Sequence, residues 1–444
     1  MTAHPVRDES NRAKWAVAAL FCFLGFQYAT WTSRLPALKS RLDLSEQELG
    51  LLLMACGVGA AVSFPLVSHL MRRLGSRRLS LLSGLCLALL LAALSKAPDY
   101  PVALLIICCD GVAVGALNVA MNAQGAALEK RYRRTVMSQL HATFSAGLLG
   151  AALLASGVNL VTGAVTAHFA VAVVLLLLLL AYARRGLLDE AGQSPPDEPE
   201  TPSGDKDGDK SGDKDARRRR GLTLPGRATL WMGCAMVFGT ITEGAMNDWS
   251  ALYMKEIAKA SASVAPMGIA VVSVMMLLAR VFADRWRSRW GDGRVVRVGS
   301  AVAGVGLALA LAAGGVVPTL LGFACVGLGA AAVTPCVYVA AAARGSDALA
   351  LVAAMGTTGL LIGPALIGFI AGWTGLVPGM AAVAVSALIV SLAATRIRWS
   401  TLAGAGEEPP GAAPHPAAPD RPADALDPAA REEPAGAEHP ATAE

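Results

Sequence analysis

Residues Asp110 to Ser145 read DGVAVGALNVAMNAQGAALEKRYRRTVMSQLHATFS, and this stretch decides the fold class. It begins inside an apolar run that carries Asp110, Asn118 and Asn122 and closes at Gln124. A charged turn follows, with Glu129, Lys130, Arg131, Arg133 and Arg134, before apolar sequence resumes around His141 and Ser145. An apolar run, a short basic turn and a second apolar run are the pattern of helices that cross a bilayer and reverse on one side of it. A lone carboxylate in such a run costs at least about 2.5 kcal/mol to insert, so it is kept where it faces a polar interior rather than lipid. Asp110 lies ten residues from Tyr100, about 15 Å at 1.5 Å per residue, which is close to mid-bilayer.

The rest of the chain repeats the pattern. Of 444 residues, 54% are hydrophobic and 16% charged, which removes the chain from the range of ordinary soluble domains. Runs long enough for a span of about 20 residues fall near 15–33, 48–70, 77–95, 100–124, 136–158, 161–183, 228–252, 264–283, 295–315, 317–342, 348–372 and 376–395, twelve in all. The segment 1–14 is polar, and no small-residue cleavage site follows the first run, so that run is expected to stay as a span. With the N-terminus in the cytoplasm, all of the 38 Lys and Arg residues except Arg34, Lys39, Arg41, Lys96, Lys255 and Lys259 fall on the cytoplasmic side. Both termini are therefore expected inside the cell, and a net charge of +5 reports topology rather than nucleic-acid binding. All eight cysteines lie in apolar runs without metal or redox spacing, as small buried hydrophobes do.

Between the sixth and seventh runs the composition changes. Pro195, Pro196, Pro199 and Pro202 precede a Lys/Asp/Gly tract from Asp205 to Asp215 and the cluster Arg217 to Arg220, so 186–222 is expected to be a disordered cytoplasmic linker. The alternating Asp205, Asp207 and Asp209 do not make a calcium loop, because Lys210 stands at the glycine position and Ala216 at the closing glutamate. An Ala-, Pro- and Glu-rich tail is expected over 403–444. The chain thus divides into bundles over 15–185 and 223–402, and the bundles echo each other. Ser145 to Leu153 in the fifth run aligns with Thr358 to Leu366 in the eleventh, and the turn Arg72, Arg73, Gly75, Arg77, Arg78 has a counterpart in Asp284, Arg285, Gly291, Arg294.

Two repeated six-span halves on a long inner linker resemble the major facilitator superfamily over about residues 15–398. Its turn signature, Gly-x-x-x-Asp-Arg-x-Gly-x-Arg, is matched at Arg73, Gly75 and Arg77, while Ser68 and Arg72 stand in place of its Gly and Asp. The second half keeps Asp284 and Arg285 and lengthens the gap to Gly291. More narrowly, Trp31 with Arg34 and Pro36, the series Asn118, Asn122, Gln124, Glu129, the pair His141 and Ser145, and Glu243, Gly244, Asp248, Trp249 resemble a bacterial branch. That branch includes the rhizopine-locus membrane protein and uncharacterised inner-membrane permeases. The resemblance implies an all-α membrane protein of twelve transmembrane helices in two pseudo-symmetric six-helix bundles, in the bacterial inner membrane. It also implies that spans one, four, seven and ten surround a central cavity.

That arrangement names the candidate residues. Span one supplies Gln27, Tyr28 and Trp31; span four Asp110, Asn118 and Asn122; span seven Glu243, Asn247, Asp248 and Trp249; and span ten Thr334 and Tyr338 beside the helix-loosening Pro335. All but Asp248 form the expected solute-binding set. Asn and Asp also serve as packing glue between helices, and that reading stands beside the pathway reading for Asp110, Asn118 and Asn122. Amides and acids fix hydroxyl or amino groups and aromatic faces stack on a ring, so the set suits a sugar, polyol or amino-sugar-like solute. Desolvation favours the neutral acid, so Asp110 or Glu243, with His141 as a further candidate, would couple movement to protons. By analogy with the superfamily, Arg72, Arg73, Arg77, Asp284 and Arg285 are expected to form gate contacts. The pairs Gly111/Gly115, Gly359/Gly363 and Gly368/Gly372 predict close helix contacts.

No Walker loop, dinucleotide fingerprint or zinc pattern is present, so neither an enzyme, a cofactor nor a metal site is expected, and any pumping must be secondary. The expected partners are the bilayer, a small solute and protons, with no nucleic acid, and the chain is expected to be a monomer. The leading reading is secondary active transport by alternating access. Drug or metabolite efflux is an alternative, against which the antiporter-like Gly363-Pro364 counts mildly, since it lies in span eleven while span five has Ala151. A non-transporting membrane sensor or scaffold is an alternative of another class, and a membrane enzyme would need a chemically altered product.

Overall fold

In a computed structural model of the chain, residues 3–132, 136–188 and 226–399 are described, and those residues are helical with short connections and no strand. Most of the expected linker, from 189 onward, and the tail from 400 lie outside the described residues, as do Arg133 and Arg134. The helices are α1 (Ala3–Thr32), α2 (Leu35–Leu42), α3 (Glu46–Leu94), α4 (Tyr100–Tyr132), α5 (Met137–Val161), α6 (Val165–Arg184) and α7 (Arg227–Glu256). They continue as α8 (Met267–Trp290), α9 (Asp292–Ala313), α10 (Val316–Ala330), α11 (Val333–Ala342), α12 (Ser346–Thr374) and α13 (Leu376–Arg396). The twelve apolar runs are almost wholly helical. By length and composition, eight helices among the described residues are apolar enough to cross a membrane, and nine if the pair α1 and α2, bent by 43°, is one span. The long α7 is diluted by Thr240, Thr242, Glu243, Asn247 and Asp248, and α8 is apolar only over Met267–Ala283.

The chain differs from the simple hydropathy reading at three places. The polar N-terminal segment is not separate from the first span: α1 starts at Ala3, and Lys14 donates to Gln139 of α5 at 2.6 Å. The second and third runs share α3, broken at Gly75 (φ 72°, ψ 164°). Gly291, between α8 and α9, takes nearly the same setting (φ 76°, ψ 152°). A Cβ at either glycine would meet nothing within 4 Å, so the backbone conformation and not crowding requires glycine there. The repeated turn read from the sequence is thus a repeated backbone turn. Thirdly, the tenth run divides into α10 and α11 around Ala331 and Ala332. Pro335 explains the break, since its ring clashes with the carbonyl four residues back, that of Ala331, and it offers no N–H.

The pseudo-symmetry extends to packing: α1 lies against α5 as α7 lies against α12, and the halves meet through α3 with α12 and α5 with α8. Two glycines let α1 and α5 touch backbone to backbone, because a Cβ on Gly25 would strike the Phe144 carbonyl and one on Gly147 the Cys22 carbonyl. The three predicted glycine pairs all lie at helix contacts, Gly368 against Gly50 of α3 among them. Outward faces carry exposed Leu160, Val161, Leu178, Leu309, Trp373 and Leu392, an apolar surface suited to lipid.

Polar side chains fix the two ends of the bundle. At the end carrying α2, Arg41 donates to the carbonyls of Ser95 and Leu94 at 2.6 and 3.0 Å, closing the C-terminus of α3. At the basic-turn end, the fully buried Gln124 of α4 donates to Ser76 (2.6 Å) and to the Leu188 carbonyl (2.9 Å), and accepts from the Leu188 N–H (2.9 Å). Glu129 accepts from the N–H groups of Val136 and Met137 at 2.6 and 3.0 Å, setting a carboxylate at the start of α5.

Candidate functional site

The site is built from consecutive residues of α1. Neighbours on a helix point about 100° apart, so Gln27 and Tyr28 reach different partners. Gln27 Nε2 donates to Asp110 Oδ1 of α4 at 2.7 Å, with both side chains buried. The Tyr28 hydroxyl donates to Asp248 Oδ1 of α7, joining the two halves. Cys56 of α3 lies against α4 at this level, since a Cβ on Gly111 would strike its carbonyl. Trp31 stands edge-on to Tyr28, ring centroids 5.6 Å apart. Gln27 Oε1, Asp110 Oδ2, and the indole nitrogens of Trp31 and Trp249 are buried without a hydrogen-bond partner among the described residues. Two carboxylates on neutral partners, with unused acceptors and donors between them, form a desolvated polar centre in an apolar bundle.

A second polar centre lies beside it on the basic-turn side. Arg280 of α8 donates from Nη1 to Ser145 of α5 at 2.7 Å and from Nη2 to Glu243 of α7 at 3.1 Å. It therefore joins the halves a second time, and Glu243 is held by a guanidinium rather than by the neutral partners of Asp110. His141, one turn before Ser145, is exposed and stands edge-on to Phe21 at 5.0 Å.

The other expected residues are spread more widely. Asn122 donates to the carbonyl and side-chain oxygens of Asn118 at 2.7 and 2.9 Å, so these two satisfy each other on α4, two and three turns from Asp110. Asn247 is half-buried, Trp249 is fully buried in the core, Thr334 is half-buried in α11, and Tyr338 packs against the separate apolar cluster around Val333 and Val337. Among the expected gate residues, Arg72, Arg73 and Arg285 are exposed, and Arg77 donates to the Arg184 carbonyl at 3.2 Å. The backbone of Asp284 lies in α8, and its side chain is outside the described set.

At the α2 end Lys39 pairs across the halves with Glu256 at 2.8 Å and, within its own half, with Glu46 at 3.0 Å. There Ser156 also donates to the Ser263 carbonyl, and Asn159 to the Ala262 carbonyl at 2.7 Å. Arg34, buried at the α1–α2 bend, holds the Asn159 side chain and the Gly163 carbonyl. Burial alone would lower the Lys39 ammonium, but its bonds from Glu256 and Glu46 outweigh that and hold it above its ordinary 10.5. Burial would likewise raise Glu46, and the bond from Lys39 outweighs it, holding the carboxyl below its ordinary 4.5. These bonds latch the halves together at the α2 end. No group of three or more His, Cys, Asp or Glu among the described residues is placed to hold a metal.

Comparison with known proteins agrees with this architecture. The profile of the Major Facilitator Superfamily matches residues 16–348. The chain belongs to that superfamily. It is therefore a multi-pass membrane protein of a transporter family and not an enzyme. An uncharacterized MFS-type transporter of Yersinia pestis is 33% identical over 391 residues, covering 85% of this chain and 94% of the relative. The membrane protein MosC of Rhizobium meliloti is 28% identical over 365 residues, covering 81% and 84%. Among solved structures, the nucleoside transporter NupG superposes with a TM-score of 0.63 at 14% identity, covering 87% of this chain and 98% of that one. A bacterial homolog of the human lysosomal transporter Spinster, inward-facing and occupied, gives 0.62 at 14%, covering 87% and 98%. At those identities the superfamily fold is what is shared.

Asp110, Gln27 and Tyr28 of the expected set meet in this cluster, together with Asp248, which the solute-binding set left out, and beside Arg280, which the sequence did not single out. Arg280 lies within α8 and points into the bundle. The signal that could have found it is a cation four residues inside an apolar run, the same anomaly that singled out Asp110.

Proposed function

We propose that the chain is a secondary active transporter of a small polar solute of sugar, polyol or amino-sugar type, working by alternating access and coupled to protons. Gln27, Tyr28, Trp31, Asp110 and Asp248 form the centre of the solute site, with Glu243, Asn247 and Trp249 on the α7 side. Asn118, Asn122, Thr334 and Tyr338 flank the path. The observation that carries this reading is the pair of buried carboxylates, one from each half, bonded to consecutive residues of α1. Hydroxyl and amino donors on a solute match the unused acceptors Gln27 Oε1 and Asp110 Oδ2, and the edge of Trp31 offers an apolar ring contact. Asp110 bears the coupling proton, since its partner is a neutral amide, whereas Glu243 is paired with the Arg280 guanidinium. The solute site is reached from the cytoplasm in the conformation latched at the α2 end, with both termini cytoplasmic, in the inner membrane, and the unit is a monomer.

Solute identity comes first: a thermal-shift screen of purified protein against sugars, inositols, amino sugars, amino acids and nucleosides, where a ligand of the folded state raises the melting temperature. Proteoliposomes are then tested for counterflow and for uptake driven by an imposed proton gradient. Exchange of an unaltered labelled solute, with gradient-driven accumulation lost in Asp110→Asn, supports the reading. Binding without exchange would make the protein a sensor, and an altered product would make it an enzyme.

A further inference from the structure

A cavity lies away from the polar centre, on the outer face of the second half. Its volume is about 450 Å³, and α8, α9 and α10 line it with Trp286, Trp290, Arg294, Val298, Val302 and Leu328. Its floor is closed by direct backbone contact of α9 and α10, because a Cβ on Gly299 would lie 2.7 Å from the Gly329 carbonyl. Arg294, Val298 and Val302 are spaced four apart and share one face of α9, so the groove runs about 12 Å along that helix. Val298, Val302 and Trp290 are each at least 40% exposed, so the groove opens on the surface that faces lipid.

The chemistry of the groove changes along its length. Its deep end is aliphatic. Its shallow end carries a stacked ladder of Phe282, Trp286 and Trp290, centroids 6.0 and 6.4 Å apart. Tryptophans at that level are characteristic of the headgroup zone of a bilayer. At the same end Arg294 is exposed and has no hydrogen bond or ion pair among the described residues, whereas Arg287 nearby is held by Asp292 at 2.8 and 3.1 Å. A long apolar trough ending in aromatic rings and an unengaged guanidinium complements one amphiphile: an acyl chain ending in a phosphate that carries net negative charge.

We propose that this groove is a binding site for an anionic phospholipid, its acyl chain along Val298 and Val302 and its phosphate on Arg294. The site is separate from the solute centre and does not depend on the transport reading. The test is native mass spectrometry of the full chain in detergent, titrated with dioleoyl phosphatidylglycerol and dioleoyl phosphatidylcholine. Phosphatidylglycerol is expected to be retained about fivefold over phosphatidylcholine, the ratio that about 1 kcal/mol per arginine corresponds to. Arg294→Gln is expected to bring the two lipids to parity, and Val298→Trp, which fills the trough from its exposed side, to lower the retention of both. Arg297→Gln removes the same charge from α9 outside the groove lining and is expected to keep the preference. Equal retention of the two lipids by the unaltered chain overturns the proposal. So does an Arg297→Gln effect as large as that of Arg294→Gln, which would mean diffuse attraction. A dimer that Val298→Trp dissociates also overturns it, by making a second copy of the chain the occupant.

Discussion

The two ends of the bundle are tied by the same kinds of bond put to different uses. At the α2 end Lys39 to Glu256, Ser156 to Ser263 and Asn159 to Ala262 cross between halves, alongside the bonds of Arg34 and Arg41 within the first half. At the basic-turn end each half is braced within itself: Gln124 ties α4 to Ser76 and Leu188, Glu129 caps α5, and Arg287 holds Asp292. Each half is therefore braced within itself, and the α2 end adds latches between the two. Partly exposed pairs such as Lys39 with Glu256 contribute at most about 1 kcal/mol each, so the latches can release without unfolding either half. That combination is what a rocking motion requires: rigid halves, with a modest energy difference between the state open at one end and the state open at the other.

Four tests sharpen the contrast, beginning with the centre on which both ends act. Asp110→Asn keeps the shape and the bond from Gln27 while removing the acid. Gradient-driven uptake is expected to fall at least about tenfold, about 1.4 kcal/mol, with counterflow retained, as measured in proteoliposomes. Arg280→Gln leaves Glu243 in the bundle without its cation. Because both side chains keep about a quarter of their exposure, the loss is expected at about 2 kcal/mol, below that of a fully buried pair. The double variant Arg280→Gln with Glu243→Gln should recover most of it in thermal unfolding, and full additivity would count against the pair.

Gly75→Ala and Gly291→Ala each place a side chain in a left-handed turn and are expected to cost about 1 kcal/mol or somewhat more. The two costs should match, since the turns match; a difference larger than that would break the symmetry between halves. The smallest effect is expected at the latch. The lowered Glu46 carboxyl makes its share of the latch complete above its ordinary 4.5 and lost as pH falls through the lowered value. The raised Lys39 ammonium makes its share complete below its ordinary 10.5 and lost as pH rises through the raised one. Between those limits Lys39→Met should lower the melting temperature by an amount that does not vary with pH, and the difference from the unaltered chain should shrink outside them.

The architecture was legible because it rests on long-range regularities. Apolar runs of span length, basic turns on alternate sides and the Gly75 and Gly291 turns survive one-dimensional reading. Asp110 was legible because a carboxylate amid Cys109, Gly111 and Val112 is anomalous whatever surrounds it. Partners were not. In a soluble helix polarity marks the face that meets water, but here the lipid-facing and core-facing sides of α7 are both apolar, so nothing in the sequence aims Asp248 at Tyr28, 220 positions away. Arg280 was hidden by its neighbours, since Asp284 and Arg285 follow within five residues and draw its charge into the turn. The latch residue Lys39 looked like one of the few cations on the wrong side of the membrane, because its partner Glu256 lies in the other half.

The central claim is that the halves separate at the α2 end during each cycle. It is tested most directly by joining Lys39→Cys and Glu256→Cys with a short reversible thiol cross-linker and measuring counterflow of the solute found by thermal shift. Each single variant treated alike serves as the control for the native cysteines. Exchange should stop in the linked protein alone and return when a reductant releases the link. Continued exchange by fully linked protein would contradict the account.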